Sequence, residues 1–195
     1  MNLNFCIGHD NFKSGAAMTQ SSSGSIYHCT FWDNYEASQP GNYGIWINAT
    51  GTWNIKNNIT EGHEHEIYIS ATAVAGGVTL ASDYNIFNDS RGGDAFHYNG
   101  TDYNFADYKT NSSKDTNSII IDPKLVSTGK LYSISPCLDI GAVIAGVNDG
   151  GELDIWGNAT DGTPNIGAYQ GAGEAAGDII LRKTIGLFLS KDIFL

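Results

Sequence analysis

Short apolar segments recur along the first half of this chain at intervals of roughly 20 to 30 residues, and polar turns separate them. One series is obtained by aligning four positions at offsets of 23, 29 and 25 residues: Cys6, Cys29, Asn58 and Asp83. An apolar residue precedes each of these positions by three: Leu3, Ile26, Ile55 and Leu80. Repeats of this length, built from short strands and turns, are typical of a β-solenoid.

A second series of strands supports the repeat. The segments GIWIN (44–48), EIYIS (66–70) and DAFHYN (94–99) alternate in a way that predicts one inward and one outward face. The predicted inward residues are Ile45, Ile47, Ile67, Ile69, Phe96 and Tyr98, and the outward ones are Trp46, Tyr68 and His97. Two series with one period predict parallel stacking, and Asn57, Asn58 and Asn85 fall at turns where amides can form a ladder.

Composition and charge restrict the classes of function that this protein can have. The chain has 24 Gly and only 4 Pro, which suits many tight turns. Its net charge of −11, from 10 basic and 21 acidic residues, would repel nucleic acid and anionic lipid. Such a surface is compatible with a neutral polysaccharide, with an acidic one bridged by calcium, or simply with solubility. No apolar run approaches the length of a membrane span, so none is predicted.

The two ends of the chain differ from the repeat. Residues 1–12 lack the basic and apolar regions of a signal peptide, so we expect the C-terminal part of a longer solenoid, or an unusually short one. Residues 100–118 break the period and predict a lateral excursion with a helical turn around NFADYKT. Residues 171–195 read as a linker and an apolar tail, which could cover the open end or promote association.

The cysteines form a poor disulfide framework because there are three of them. Cys6 and Cys29 share a coil position, so their Cα atoms are expected about 4.8 Å apart, within disulfide range. Two reduced thiols in an internal stack are the favoured alternative. Cys137 has no obvious partner.

Three motifs in the last part of the chain carry a family resemblance. Asp115, Ser118, Asp122 and Pro123 fit a D-x-x-S…D-P pattern. Ser135, Pro136, Asp139 and Gly141 fit the S-P-x-x-D-x-G part of Y-x-L-x-x-x-S-P-x-x-D-x-G, and Tyr132 precedes them at a shorter spacing than the pattern has. Asp154, Gly157, Ile166, Gly167, Ala168 and Tyr169 fit the closing D-x-x-G…D-I-G-A-Y-E. These segments resemble the C-terminal end of right-handed parallel β-helix proteins of the pectate-lyase-like superfamily. The chain departs from that pattern at Asn165 and Gln170, and it lacks the Arg expected after D-x-x-G-N.

The resemblance implies an all-β fold: a right-handed parallel β-helix of about four to five coils with a C-terminal cap, over residues 1–170. The superfamily includes polysaccharide lyases, glycoside hydrolases, epimerases, carbohydrate-binding modules and phage tail spikes. Fold alone does not choose among these activities. The resemblance also implies an extracellular or cell-surface protein.

The segment TEGHEHEIYIS holds the most suggestive candidate chemistry. If residues 61–65 are extended, then Glu61, His63 and His65 share one face. His-x-His on a strand can bind zinc or another transition metal, and a histidine can act as a general base near neutral pH. A polar turn with exposed histidines is the alternative interpretation.

Carboxylates near turns offer a second kind of site. Glycosidases need two of them across a sugar, and Asp83 and Asp94, on adjacent coils, are candidates together with Glu61. Asp83 and Asp89 are the candidate calcium ligands, and calcium remains a possible cofactor. Solvated turn residues would explain the same pattern.

Aromatic residues supply candidate sugar-stacking surfaces. The predicted substrate-binding residues are Trp32, Trp46, Trp53, Tyr68 and Arg91. Trp32 and Trp53 could form a platform on successive coils, although stacking within the core is an alternative. Basic residues are few, which disfavours a lyase, because lyases of this superfamily use a basic residue beside a calcium-bound uronate.

The sequence and the resemblance together predict an extracellular protein that acts on or binds polysaccharide, with a fragment of a glycoside hydrolase or polysaccharide lyase as one form of it. The alternative is a non-catalytic module: a carbohydrate-binding adhesin or a structural segment like a phage spike.

Overall fold

A computed structural model of the chain describes residues 2–11, 13–19, 23–34, 41–89, 93–160 and 162–175. It is a mostly parallel, all-β solenoid of about three turns. The predicted parallel β-helix is therefore confirmed, although the number of turns is slightly lower than four to five.

The strands form three rows that run along the solenoid axis. Row one contains β1 (Asn2–Asn4), β4 (Gly24–Tyr27), β7 (Thr52–Lys56) and β10 (Thr79–Asp83). Row two contains β2 (Ile7–His9), β5 (Thr30–Trp32), β8 (Ile59–Glu61), β11 (Ile86–Asn88) and β14 (Ile119–Ile120). Row three contains β3 (Ser14–Met18), β6 (Tyr43–Ile47), β9 (His65–Ile69), β12 (Phe96–Tyr98) and β13 (Thr101–Tyr103). Every pairing within the rows is parallel except that of β12 with β13.

The excursion after the last coil contains the predicted helix and one strand that was not predicted. Helix α2 spans Phe105–Ser112, and Asn104 caps it by accepting a hydrogen bond from the backbone N–H of Asp107 at 3.0 Å. Strand β13 folds back antiparallel on β12 before the helix begins. The other helix among the described residues, α1 (Ala71–Ala75), follows β9.

The core confirms the alternation of the second strand series. Five of its six predicted inward residues are fully buried: Ile45, Ile47, Ile67, Ile69 and Phe96. Tyr98 is half-buried and packs against the same core. Ile45 pairs with Ile67, which pairs with Phe96, so each apolar side chain stacks on its equivalent in the next turn.

The first series is correct for three turns and wrong for the fourth. Leu3, Ile26 and Ile55 are register partners, but the next partner is Ser82 and not Leu80. The position that continues Cys29 and Asn58 is consequently Asn85, two residues beyond Asp83. Its amide accepts a hydrogen bond from the backbone N–H of Asn58 at 3.0 Å.

The C-terminal region, described over residues 121–160 and 162–175, has little regular secondary structure there and packs on row two. An apolar cluster joins the two parts: Ile59, Ile86, Leu131, Cys137, Ile166 and Tyr169. Gly167, at φ +96°, lies so close that a Cβ there would be 2.6 Å from Cδ1 of Ile59. Asp154 accepts hydrogen bonds from the backbone N–H groups of Trp156 and Asn158 at 2.8 and 2.9 Å.

All three cysteines are free, which agrees with the favoured reduced pair. None of the helices among the described residues has the length and apolar character that a membrane crossing requires. The predicted role of the apolar tail in association concerns residues that lie almost entirely outside the described ranges.

Candidate functional site

The segment 61–65 is a corner of the solenoid and not a single strand. Strand β8 ends at Glu61, strand β9 begins at His65, and Gly62 turns the chain at φ +79°. The expectation that Glu61, His63 and His65 share a face is therefore wrong. Glu61 points to a cleft beside row two, His63 points inward, and His65 lies on the outer face of row three.

His63 belongs to the interior. Its side chain is fully buried, with Nδ1 2.9 Å from a carboxylate oxygen of Glu66, which is also fully buried. Its Nε2 lies 3.1 Å from the side-chain amide of Asn34, which in turn donates to the carbonyl of Gly8. This position explains His63 as part of a buried polar network, out of reach of a substrate.

A cleft of about 210 Å³ opens between row two and the C-terminal region. Its lining residues are Trp32, Asp33, Glu61, Gly62, Leu125, Val126 and Ser127. Trp32 and Glu61 are register partners on β5 and β8, and the backbone N–H of Asp33 donates to the carbonyl of Glu61 at 3.1 Å. The register therefore places two carboxylates and one indole on adjacent turns, at one opening.

The Glu61 carboxyl has the environment of a proton donor. Burial raises its pKa, although the side-chain amide of Asn88, which donates to Oε1 at 3.0 Å, lowers it in part. The nearby charges of Asp122, Glu66 and Asp33 raise the pKa further. A carboxyl group of this kind keeps its proton to a higher pH than a free one does.

Trp32 is held in a fixed orientation at the cleft. The His9 ring stacks on it at 4.4 Å between centroids, with 15° between the planes. Gly129 of the C-terminal region approaches its edge, where a Cβ would lie 2.6 Å from two ring carbons. These contacts therefore fix the half-buried indole in the wall of the cleft.

The outer face of row three carries a second group of aromatic side chains. Trp46, Tyr68 and His97 are successive register partners, as the predicted outward positions require. The Tyr68 and His97 rings stack at 3.9 Å with 4° between their planes. Tyr43 lies 4.4 Å from Tyr68 and 5.4 Å from Trp46, between ring centroids.

Trp53 does not contribute to either surface. Trp53 is only 1% exposed and fills the core at row one. The expected platform of Trp32 and Trp53 is therefore wrong, because one ring faces the cleft and the other the interior. Arg91 lies outside the described residues.

The predicted carboxylates of the later coils do not join Glu61 in the cleft. Asp83, at the end of row one, accepts two hydrogen bonds from Asn117, at 2.7 Å from the backbone N–H and 2.8 Å from the side chain. Asp94 is exposed just before β12, and half-buried Asp89 follows β11. None of these three lines the cleft.

Two functional candidates, His97 and Asp102, were not identified as site residues from the sequence. Among the described residues, one group of metal-ligating side chains has its donor atoms within 4.8 Å of one another, and its members are His65, His97 and Asp102. Asp83 and Asp89 do not belong to it. His97 was a predicted outward neighbour of Tyr68, but only the antiparallel return of β13 brings Asp102 beside it.

The fold defines the class of this protein as a parallel β-solenoid. No protein-family model matches the chain, and neither the curated proteins nor the solved structures include a significant match.

Proposed function

We propose that this solenoid is an extracellular, polysaccharide-active member of the pectate-lyase-like superfamily, and that the cleft beside Glu61 binds one sugar unit of the chain. One observation carries the proposal: the cleft combines an ordered indole with two carboxylates on adjacent turns. Sugar recognition uses an aromatic face together with a few polar groups. A volume of about 210 Å³ suits a single ring of a longer polymer rather than a large ligand.

Glycoside hydrolysis is the reaction that these groups support best. Glu61, with its raised pKa, would donate a proton to the leaving oxygen, and Asp33 would act as the base or nucleophile on the other side of the bond. No Lys or Arg lines the described cleft, which leaves a lyase without its base or its partner for a uronate. Hydrolysis is therefore favoured over elimination.

The test measures new reducing ends and unsaturated products with a panel of neutral and acidic polysaccharides, with and without calcium. We expect Glu61→Gln to lower hydrolysis at least a hundredfold while binding persists, because the amide cannot donate the required proton. Trp32→Ala should weaken binding tenfold or more through the lost aromatic contact. Asp94→Asn is the matched control, since Asp94 is an exposed carboxylate outside the cleft.

Failure of every polysaccharide to be cleaved or bound would contradict the proposal. Equal losses in Glu61→Gln and Asp94→Asn would show that the cleft has no special role.

A non-catalytic binding module is the second candidate, favoured by the outer aromatic face of row three. Trp46, Tyr68 and Tyr43 lie within one patch and could stack on a polymer without cleaving it. Binding without turnover that is lost in Trp46→Ala and retained in Trp32→Ala would establish this function instead.

A further inference from the structure

We propose that His65, His97 and Asp102 bind a divalent transition metal ion of the zinc class, through Nε2, Nδ1 and Oδ1 respectively. The three residues come from β9, β12 and β13, the last three strands of row three. This inference does not depend on the proposed sugar cleft, because the two sites share no residue.

The distances between the three donor atoms fit a metal site. Nε2 of His65 lies 3.0 Å from Oδ1 of Asp102, and Nδ1 of His97 lies 2.5 Å from the same oxygen. A tetrahedral zinc ion with bonds of about 2.0–2.1 Å separates its ligand atoms by about 3.3 Å. The side chains would therefore open by less than about 1 Å to admit the ion between them.

The chemistry of the donor set also selects this class of ion. Two imidazoles and one carboxylate are preferred ligands of zinc and related metals, whereas calcium and magnesium prefer oxygen alone. The net charge of −11 attracts cations to the molecule.

Packing orders both imidazoles before any ion is bound. His97 is stacked on Tyr68, and His65 meets the edge of Tyr68 at 5.5 Å and Tyr43 at 5.8 Å between ring centroids. Nδ1 of His65 is buried and has no hydrogen-bond partner among the described residues, so Nε2 is the ring nitrogen that faces a polar group, the carboxylate of Asp102. Ordered ligands lower the conformational entropy that metal binding costs.

Exposure indicates where a further ligand would enter. The side chains of His65 and His97 are 12% and 11% exposed, whereas that of Asp102 is 52% exposed. The ion would thus have three protein ligands on its inner side and a free position toward solvent, the arrangement of zinc sites that bind water or a substrate. It would also join β13 to β9 and β12, where the parallel stacking of the row ends.

The experiment titrates untagged, chelator-treated protein with Zn²⁺ by calorimetry and with Co²⁺ by visible absorption. We expect one equivalent to bind, with the absorption of a tetrahedral cobalt site and a rise in the unfolding temperature that grows with metal concentration. His97→Ala and Asp102→Asn should each weaken binding at least tenfold. Asp102→Asn preserves the shape of the side chain, so it keeps the test valid if His97→Ala destabilises the fold.

The control is His9→Ala, which removes another surface histidine paired with a carboxylate, at 2.8 Å from Asp10. Its metal affinity should equal that of the unmodified protein. The proposal is overturned if neither ion binds at one equivalent, if both ligand variants bind normally, or if His9→Ala loses affinity to the same extent.

Discussion

Cys6 and Cys29 occupy equivalent positions on consecutive turns, yet their thiols are expected to behave differently. Cys29 is fully buried, and burial raises its pKa well above the usual value. Cys6 is half-buried on the first turn, where a hydrogen bond from the Cys29 thiol lowers its pKa to about 6. The inner thiol therefore stabilises the thiolate form of the outer one.

We predict that Cys6 is alkylated first and that its reaction follows a pKa near 6. At pH 7 it is mostly thiolate, whereas Cys29 and Cys137 stay protonated because burial raises the pKa of both thiols, that of Cys137 to about 12. Peptide mass spectrometry after brief iodoacetamide treatment between pH 5 and 9 measures this order. Cys29→Ala should shift the profile toward higher pH, while Cys29→Ser, which keeps a donor, should shift it less. Equal labelling of all three cysteines would contradict the prediction.

The residues of the TEGHEHE segment show what sequence reasoning could not supply at this scale. The sequence did identify residues whose side chains can take part in catalysis or binding, and Glu61 does line a cleft. Their common face was not predictable, because it depended on whether residue 62 continues a strand or turns a corner. Gly62 adopts a left-handed conformation and turns the chain, so Glu61, His63 and His65 lie in three different environments.

Side-chain amides stabilise the turn between rows one and two on successive turns of the solenoid. Oδ1 of Asn58 accepts from the backbone N–H of Cys29 at 2.9 Å, and its Nδ2 donates to the carbonyl of Ile26 at 2.9 Å. Asn85 repeats this pattern one turn later, donating to the carbonyl of Ile55 at 3.1 Å. The predicted asparagine ladder is confirmed for these two residues.

We predict that Asn58→Ala lowers the free energy of unfolding by about 3 kcal/mol or more, because it removes the side-chain partners of two buried backbone groups, the N–H of Cys29 and the carbonyl of Ile26, at about 1–3 kcal/mol each. Urea denaturation followed by circular dichroism measures the change. Asn54→Ala is the control: Asn54 lies on the preceding strand and is only half-buried. It should cost less than about 1 kcal/mol. Equal losses in both variants would show that the amide ladder contributes little.

The fourth turn shows why the register was wrong there by two residues. A shift of two keeps every side chain on its own face, so apolar alternation cannot distinguish Leu80 from Ser82 as the partner of Ile55. What fixes the register is the amide of Asn85 under that of Asn58, an interaction between side chains rather than a hydrophobic pattern. Apolar alternation leaves the same two-residue ambiguity in the second series, because every inward position there is also apolar.

At the scale of the whole molecule, His28 connects the solenoid to its C-terminal region. The side-chain amides of Asn57 and Asn148 donate to its Nε2, at 3.0 and 2.5 Å. Its Nδ1 lies 3.1 Å from the carbonyl of Asn165, so the ring is neutral with the proton on Nδ1. These contacts span 120 and 137 residues. No local pattern reveals such contacts, whereas the closing motifs did indicate that a cap was present.

The neutral state of His28 makes the assembled molecule sensitive to acid. Burial lowers the pKa of His28 to about 4 from an ordinary 6.5. Below pH 6.5, His28 is protonated in the unfolded chain but stays neutral in the folded protein. The stability of the fold therefore falls as the pH decreases from about 6.5 to about 4. The total loss is on the order of 3 kcal/mol. Glu61 and Asp115, whose pKa values are raised by burial, act in the opposite direction, so the comparison of variants isolates His28.

We predict that His28→Gln is less stable than the unmodified protein at pH 7.5, and that the difference narrows on acidification because glutamine binds no proton. Urea titrations at pH 7.5, 6, 5 and 4 give the two curves. His9→Gln serves as the control, since His9 is exposed on the first turn and should leave the slope unchanged. If His28→Gln kept the pH dependence of the unmodified protein, the acid sensitivity would have to arise elsewhere. In that case the two stability curves would run parallel, and His28 would contribute to the packing of the cap but not to the pH dependence.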